Sequence, residues 1–262
     1  MAQFFHAALA ENTWLISDDS FGTGLTFGKA TANSYLIVGE NRALLFDLAV
    51  PAPGLRQYAQ ALAQKPLLTV ISHGHPDHIY HMEDFDVLWL NRADWDFPLC
   101  ALAGAELPKK CPQLCDVPDG MQFDLGGRIL DVIAIPGHTM GSILLFDRQT
   151  GILFSGDTVA RRLLYGLTGC PPLAQFCDDL QKLQRLPIQK IYSAHDRAAL
   201  PPDYPAYMTR MLQTKLSAAA ETWQYPGFPL MRRLVAGDEA SPDYFDAAVP
   251  DTLLQEENTH AI

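Results

Sequence analysis

The stretch SHGHPDHIYH, residues 72–81, gathers four of the chain's eight histidines into ten positions. It follows LLTVI (67–71), a continuous apolar run of the kind that makes a buried strand. The cluster therefore sits on the loop leaving a strand, where a rigid element positions a short segment and chemistry tends to collect. In the pattern HxHxDH, His73 and His75 are spaced to face one side of an extended loop, while Asp77 and His78 turn toward a neighbouring position. A single buried histidine is commonly a core residue. Four so close together, two of them flanking one glycine, are hard to bury without partners for their ring nitrogens. His81 lies outside the six-residue pattern and is read as a structural or entrance residue.

Working outward, three later strand-like runs also end on metal-ligand residue types. RILDVIAI (128–135) runs into Pro136-Gly137-His138, GILF (151–154) into Ser155-Gly156-Asp157, and IQKIYSAH (188–195) ends on His195. With the first cluster this makes seven candidate ligands: His73, His75, Asp77, His78, His138, Asp157 and His195. Imidazole suits Zn, Fe and Mn, and carboxylate oxygen tolerates all three. His73, His75 and His138 are expected to form one facial site with open positions, and Asp77, His78 and His195 a second. Asp157, with two oxygens and one charge, is expected to bridge them. Two ions roughly 3.5–4 Å apart can share a hydroxide and clamp a substrate oxygen. Ser72, Thr139 and Ser142 are candidates to orient the imidazoles from behind.

The remaining pattern predicts strands at 13–17, 33–38, 43–48, 87–91 and 142–147. Helices are expected at 54–64, 93–101 and 179–186, with a long helical run over 204–223 whose Met208, Met211, Leu212 and Leu216 are apolar. Residues 104–120 read as a long loop, and about 236–262 as acidic and loosely patterned. Hairpins followed by strand–helix alternation in both halves suggest an α/β sandwich with mixed sheets. Residues 1–200 are expected to form the catalytic domain, and 201–262 a helical extension packed on it that covers one side or makes a homodimer contact.

The chain has 262 residues and a formal net charge of −11, with basic residues only in short pairs such as Lys109-Lys110, Arg161-Arg162 and Arg232-Arg233. That balance argues against a nucleic-acid partner. No apolar run reaches the length of a membrane span and no secretory signal is evident, so cytoplasmic residence and no membrane partner are expected. The five cysteines match no CxxC zinc pattern and read as free thiols. Cys111 and Cys115 could lie one helical turn apart, a weak hint of redox sensitivity.

HGHPDH, PGHTMGS, FSGD and SAHD, in that order, resemble the metal-binding motifs of the metallo-β-lactamase-fold hydrolases, and NSYLIVGENRALLFDLA resembles their first hairpin. The resemblance runs from Thr13 to about Asp196. It implies a four-layer αβ/βα sandwich, two mixed sheets flanked by helices, with the metals at one edge between the sheets. It also implies a dinuclear hydrolase holding two divalent ions per chain, Zn foremost, with Fe or Mn as alternatives. Asp77 would then serve as acid/base group besides being a ligand, since in that family the residue both binds metal and orients the nucleophile.

Within that family, classical β-lactamases place a cysteine, or no bridging carboxylate, where this chain has Asp157. Flavodiiron oxygen reductases carry glutamate at the position of His75 and append a flavodoxin-like domain. RNA-processing members carry an inserted nuclease domain. Three small-molecule classes remain. Glyoxalase II-type thioester hydrolases share the ligand set, although their basic glutathione-binding motif is not found here. Quorum-quenching lactonases have a similar last motif and use a tyrosine near the metals, for which Tyr165 is the candidate. Small phosphodiesterases are slightly disfavoured by the acidic charge. The expected substrate is a small ester-type molecule, thioester or lactone, attacked by a metal-bridging hydroxide. A diiron oxygen or nitric-oxide reductase-type protein and a non-catalytic binding module are the readings from other classes. The rims of the pocket are expected at 18–29, 102–118 and 161–172.

Overall fold

Strands whose successive side chains enter different apolar layers build this molecule. In the computed structural model, which describes residues 4–17, 33–96, 112–166, 169–196, 198–224 and 229–254, SYLIV forms β3 (Ser34–Val38) and ALLF forms β4 (Ala43–Phe46), both buried on both faces. Tyr35, Ile37, Leu44 and Phe46 point into one core, and Leu36, Val38, Ala43 and Leu45 into another. That is the period-2 consequence of the pleat. β1 (Phe5–Ala10), β2 (Thr13–Ser17), β3 and β4 make an antiparallel meander. Parallel β5 (Leu67–Val70), β6 (Val87–Trp89) and β7 (Gln113–Cys115) then complete a seven-stranded mixed sheet. Its outer face carries α1 (Leu55–Ala63) through Leu55, Ala59 and Ala63.

The second sheet has five strands: β8 (Gln122–Asp124), β9 (Ile129–Ala134), β10 (Ile143–Asp147), β11 (Ile152–Phe154) and β13 (Lys190–Tyr192). Ile143 and Leu145 of β10 face the first sheet, while Leu144 and Phe146 face a third core. That core is covered by α2 (Leu173–Gln181), through Leu173, Phe176, Cys177 and Leu180, and by α3 (Tyr204–Lys215), through Tyr204, Met208 and Leu212. Helix, sheet, sheet, helix is the expected four-layer order.

A third sheet was not read from the sequence. β12 (Arg162–Leu164) pairs in parallel with β16 (Phe245–Pro250), followed by β15 (Met231–Ala236) and β14 (Glu221–Trp223). The expected helical extension is thus corrected. One helix ends at Lys215, and Glu221–Trp223, Met231–Ala236 and Phe245–Pro250 are strands, with Leu234, Phe245, Ala247 and Val249 entering the third core. Three shorter corrections share one cause, since three-residue strands exist through pairing and not through pattern. β7 lies inside the expected loop 104–120, where pairing with β6 extends it. β8 pairs with β9, and β12 with β16. The expected helix 179–186 begins instead at Leu173, straight after Pro172, and tightens into a 3₁₀ turn over Lys182–Arg185. Of the expected helix 93–101, Arg92–Asp94 is a 3₁₀ turn and the residues from 97 lie outside those described. No helix among the described residues is long and apolar enough to cross a membrane.

At one end a buried ion pair between Arg128 and Asp147 within the second sheet holds a guanidinium whose other bonds reach the first sheet. Arg128, just before β9, sends Nε and Nη2 to Asp147 Oδ2 at 3.2 and 2.5 Å. It also donates from Nη1 to the Asn12 and Val38 carbonyls (3.1 and 3.2 Å) and from Nη2 to Thr13 Oγ1 (2.6 Å). Breaking one side of a buried pair leaves an uncompensated charge. Arg128→Ala is expected to lower the unfolding free energy by about 3–5 kcal/mol, read from a urea transition. An unchanged midpoint would show that this contact does not join the sheets.

Candidate metal centre

Strand direction decides where the seven residues meet. β9 and β11 are each antiparallel to β10, and β13 is parallel to β11, so β9, β11 and β13 run the same way. The loops after these three strands carry His138, Asp157 and His195, and all leave the same edge. The loop after β5 arrives at this edge from the other sheet, tied by the Ile143 amide donating to the Ser72 carbonyl at 2.9 Å. Gly156 allows the close approach. It has φ +52°, and a Cβ there would lie 2.7 Å from Ser72 Cβ and Oγ.

The structure brings all seven residues together. His138 Nε2 lies 2.8 Å from His75 Nδ1 and 3.1 Å from His73 Nε2. Asp157 reaches the rest: Oδ1 is 3.5 Å from His78 Nε2, and Oδ2 is 3.5 Å from His138 Nε2 and 3.1 Å from His195 Nε2. Asp77 Oδ2 stands 3.5 Å from His195 Nε2. Three sets have donor atoms all within 4.8 Å of one another: His73 with His75 and His138, His73 with His78 and Asp157, and Asp77 with His78 and His195. His73, His75, His78, His138 and Asp157 are buried, whereas the Asp77 side chain is 24% exposed and the most open of the acidic members.

Partners behind the rings set which nitrogen faces inward. His138 Nδ1 donates to the Leu164 carbonyl at 2.5 Å, since a carbonyl can only accept, so its Nε2 presents a lone pair. His78 Nδ1 meets Asp47 Oδ2 at 3.0 Å, and Asp47 Oδ1 accepts the Ser72 amide at 2.6 Å. His73 Nδ1 contacts Ser72 Oγ at 2.9 Å. Asp47 ends the FD pair just after β4; no pattern marked it, because its importance comes from a contact with a residue remote in sequence. Among the expected orienting residues only Ser72 touches an imidazole. Thr139 and Ser142 bond each other at 2.9 Å.

The residues fit a cation on two counts. The lone pair of His138 converges on two further imidazole nitrogens with too few protons to satisfy all three. His78 Nε2 and Asp157 Oδ1 are buried and face each other only at 3.5 Å, with no closer hydrogen-bond partner, an expensive arrangement that a bound cation would relieve. The electrostatics divide the cluster. Burial, helped by the neighbouring imidazoles, pushes His73 and His75 well below the ordinary histidine range, and burial lowers His138 against the pull of Asp157. At His78 burial acts the same way but is outweighed by Asp157, Asp47 and Asp77, which raise it well above that range. At His195 burial is likewise outweighed, chiefly by Asp157, and the value rises to about 9. Burial would raise Asp157, but His195 and His78 hold it well below the usual carboxylate range. One half is therefore a neutral imidazole set, and the other is rich in carboxylate.

Other candidates fall elsewhere. His81 sits at φ +52° with Nε2 on the Pro51 carbonyl at 2.7 Å, a turn residue. Tyr165 is fully buried, and its hydroxyl donates to the Pro171 carbonyl at 2.5 Å. Cys115 lies on β7, not on a helix. The expected rims at 18–29, at 102–111 and at 167–168 lie outside the described residues.

Comparison with known proteins agrees with this architecture. Residues 28–89 match the family model of the metallo-beta-lactamase superfamily. The chain is 30% identical over 247 residues to a hydroxyacylglutathione hydrolase of Aeromonas hydrophila, covering 87% of this chain and 86% of that one. It is 29% identical over 187 residues to acyl-coenzyme A thioesterase MBLAC2 of Gallus gallus, covering 60% of this chain and 66% of the relative's length. Among solved structures, a metallo-beta-lactamase from Pontibacter korlensis superposes with a TM-score of 0.65 at 20% identity, over 81% of this chain and 100% of that one. With this fold and these relatives, the chain belongs to the metallo-β-lactamase superfamily.

Proposed function

We propose that the protein is a dinuclear hydrolase of thioesters. The observation that carries this reading is the convergence of two ligand groups on one shared carboxylate, Asp157, at the open edge between the sheets. In this reading His73, His75 and His138 hold one divalent ion, Asp77, His78 and His195 hold a second, and Asp157 lies between them. When bound, such a pair supplies Lewis-acid polarisation of a carbonyl and a hydroxide nucleophile at neutral pH. Zinc suits the imidazole-rich half best, and iron or manganese would tolerate the same donors.

The chain's own residues do the rest. The Leu164 carbonyl, Ser72 and Asp47 fix three imidazoles in their inward-facing orientation. Asp77, the acidic side chain most open to solvent, is the group placed to pass a proton at Oδ2 between substrate and bulk. Two observations favour a thioester over a lactone. Two relatives are named for an acyl-coenzyme A and for a hydroxyacylglutathione, both acyl groups carried on thiols. Tyr165, the candidate for a lactonase tyrosine, is fully buried and donates its hydroxyl to the Pro171 carbonyl. In this reading the exposed Met140, two residues beyond His138 in sequence, supplies apolar surface for the acyl chain.

Three outcomes are expected. Purified protein carries about two divalent ions per chain by elemental analysis and turns over acyl thioesters in a panel of thioesters, lactones and phosphodiesters; turnover of lactones alone would replace the substrate assignment. His75→Ala lowers that turnover by roughly two orders of magnitude or more while circular dichroism stays that of the folded protein. Normal turnover by this variant would sink the two-ion reading. Asp157→Ala falls from two ions toward one, whereas two tightly held ions in that variant would remove Asp157 from its place between them.

A further inference from the structure

Asp94 is a buried acid with no place in the ligand set, and its contacts are unusual. It stands in the 3₁₀ turn Arg92–Asp94 that follows β6. The turn is rigidly held: Asn91 Oδ1 accepts from the Ala93 amide at 3.0 Å, Asn91 Nδ2 donates to the Val117 carbonyl at 2.9 Å, and Trp95 Nε1 donates to the Leu90 carbonyl at 2.9 Å. From this base Asp94 Oδ2 accepts the Gly74 amide at 2.8 Å and the Thr139 hydroxyl at 2.7 Å, while Oδ1 accepts the Gly141 amide at 2.9 Å. Gly74 lies between His73 and His75. Thr139 and Gly141 follow His138. The carboxylate thus grips, from behind, both loops that carry the three-histidine group, one loop from each large sheet. A Cβ on Gly141 would fall 2.5 Å from Asp94 Cγ, so the glycine is what lets the second loop come close enough.

The other ligand group is anchored differently. Asn33 Nδ2 donates to the Ala194 and Asp196 carbonyls at 3.0 and 2.9 Å around His195, and Asp47 holds His78. We infer that Asp94 is a positioning residue for the three-histidine ion alone, setting the separation between the His73–His75 loop and the His138 loop. This rests on the two-ion reading above. The physical basis is that three imidazoles on two independent loops bind an ion tightly only if their spacing is fixed before it arrives, and one acceptor shared by both loops fixes it. Loss of the carboxylate leaves the buried Gly74 and Gly141 amides without their acceptor and lets the loops drift apart.

The test is Co(II) titration of ion-stripped protein, followed by visible absorption and by equilibrium competition with a chelator. Wild type, Asp94→Ala and the isosteric Asp94→Asn are compared, with melting curves of each ion-free form. The expected result is one ion bound as tightly as in wild type by all three. The other is weakened roughly 10–100-fold in Asp94→Ala, with an altered Co(II) band, and less in Asp94→Asn, which keeps one acceptor oxygen. Two ions held by both variants with wild-type affinity and spectrum would overturn the inference. Equal weakening of both ions would also overturn it, since that marks general loosening. If Asp94→Ala does not fold, Asp94→Asn decides by the same criteria. Wild type binding fewer than two ions would defeat the two-ion reading itself, and this inference with it, which separates the two failures.

Discussion

The constraint on which this structure turns is the burial of four imidazoles and three carboxylates, Asp47, Asp94 and Asp157, at one sheet edge, with His195 half-buried beside them. Groups of this kind are costly to remove from water unless they satisfy one another. Only the direction of the strands makes that satisfaction available: β9, β11 and β13 run parallel in space, so the loops after them open on one edge, where the loop after β5 also ends. The opposite end of the sandwich solves a similar problem with Arg128 and Asp147, where carbonyls and a hydroxyl take up the remaining guanidinium donors. One end is thus closed by a self-contained ion pair. The other leaves His78 Nε2 and Asp157 Oδ1 facing each other at 3.5 Å with no closer partner, and that difference separates a structural contact from a site for a ligand.

What could be read from residues alone follows from the length over which a pattern persists. Residues 34–38, 43–46 and 143–147 alternate into two cores and were readable as strands, and HxHxDH with three later strand ends named all seven members of the cluster. The strands β7, β8 and β12 were not readable. Each is three residues long and owes its existence to pairing, β8 with the adjacent β9, and β7 and β12 with strands more distant in the chain. Asp47 and Asp94 were missed for a related reason. Each is one aspartate among many, and its role appears only when Ser72 and His78, or Gly74 and Gly141, are brought against it from elsewhere in the chain. Tyr165 is the converse case, since proximity to Asp157 in sequence suggested a place near the cluster, while its hydroxyl is committed elsewhere.

The cluster is also electrically lopsided. Three imidazoles held neutral by burial stand on one side, and two imidazoles surrounded by Asp77, Asp157 and Asp47 on the other. A cation on the imidazole side would keep most of its charge for polarising whatever binds there. A cation on the carboxylate side would be largely neutralised by its ligands. The two positions are therefore not chemically equivalent.

The third sheet ties the residues after 200 to this chemistry. His138 is oriented by the carbonyl of Leu164, which ends β12. β12 is a three-residue strand whose sheet partner is β16, through Arg162 opposite Asp246 and Leu164 opposite Ala248. Its flank is held as well, because the Arg161 amide donates to Asp196 Oδ2 beside His195 and Arg161 Nη1 donates to the Ser241 carbonyl. A strand this short has no intrinsic tendency to hold its shape, so the direction of the Leu164 carbonyl depends on β16 and on the turn before it. The C-terminal segment is thus part of the scaffold that sets one imidazole. Changes there would be felt at His138 through this chain of backbone contacts.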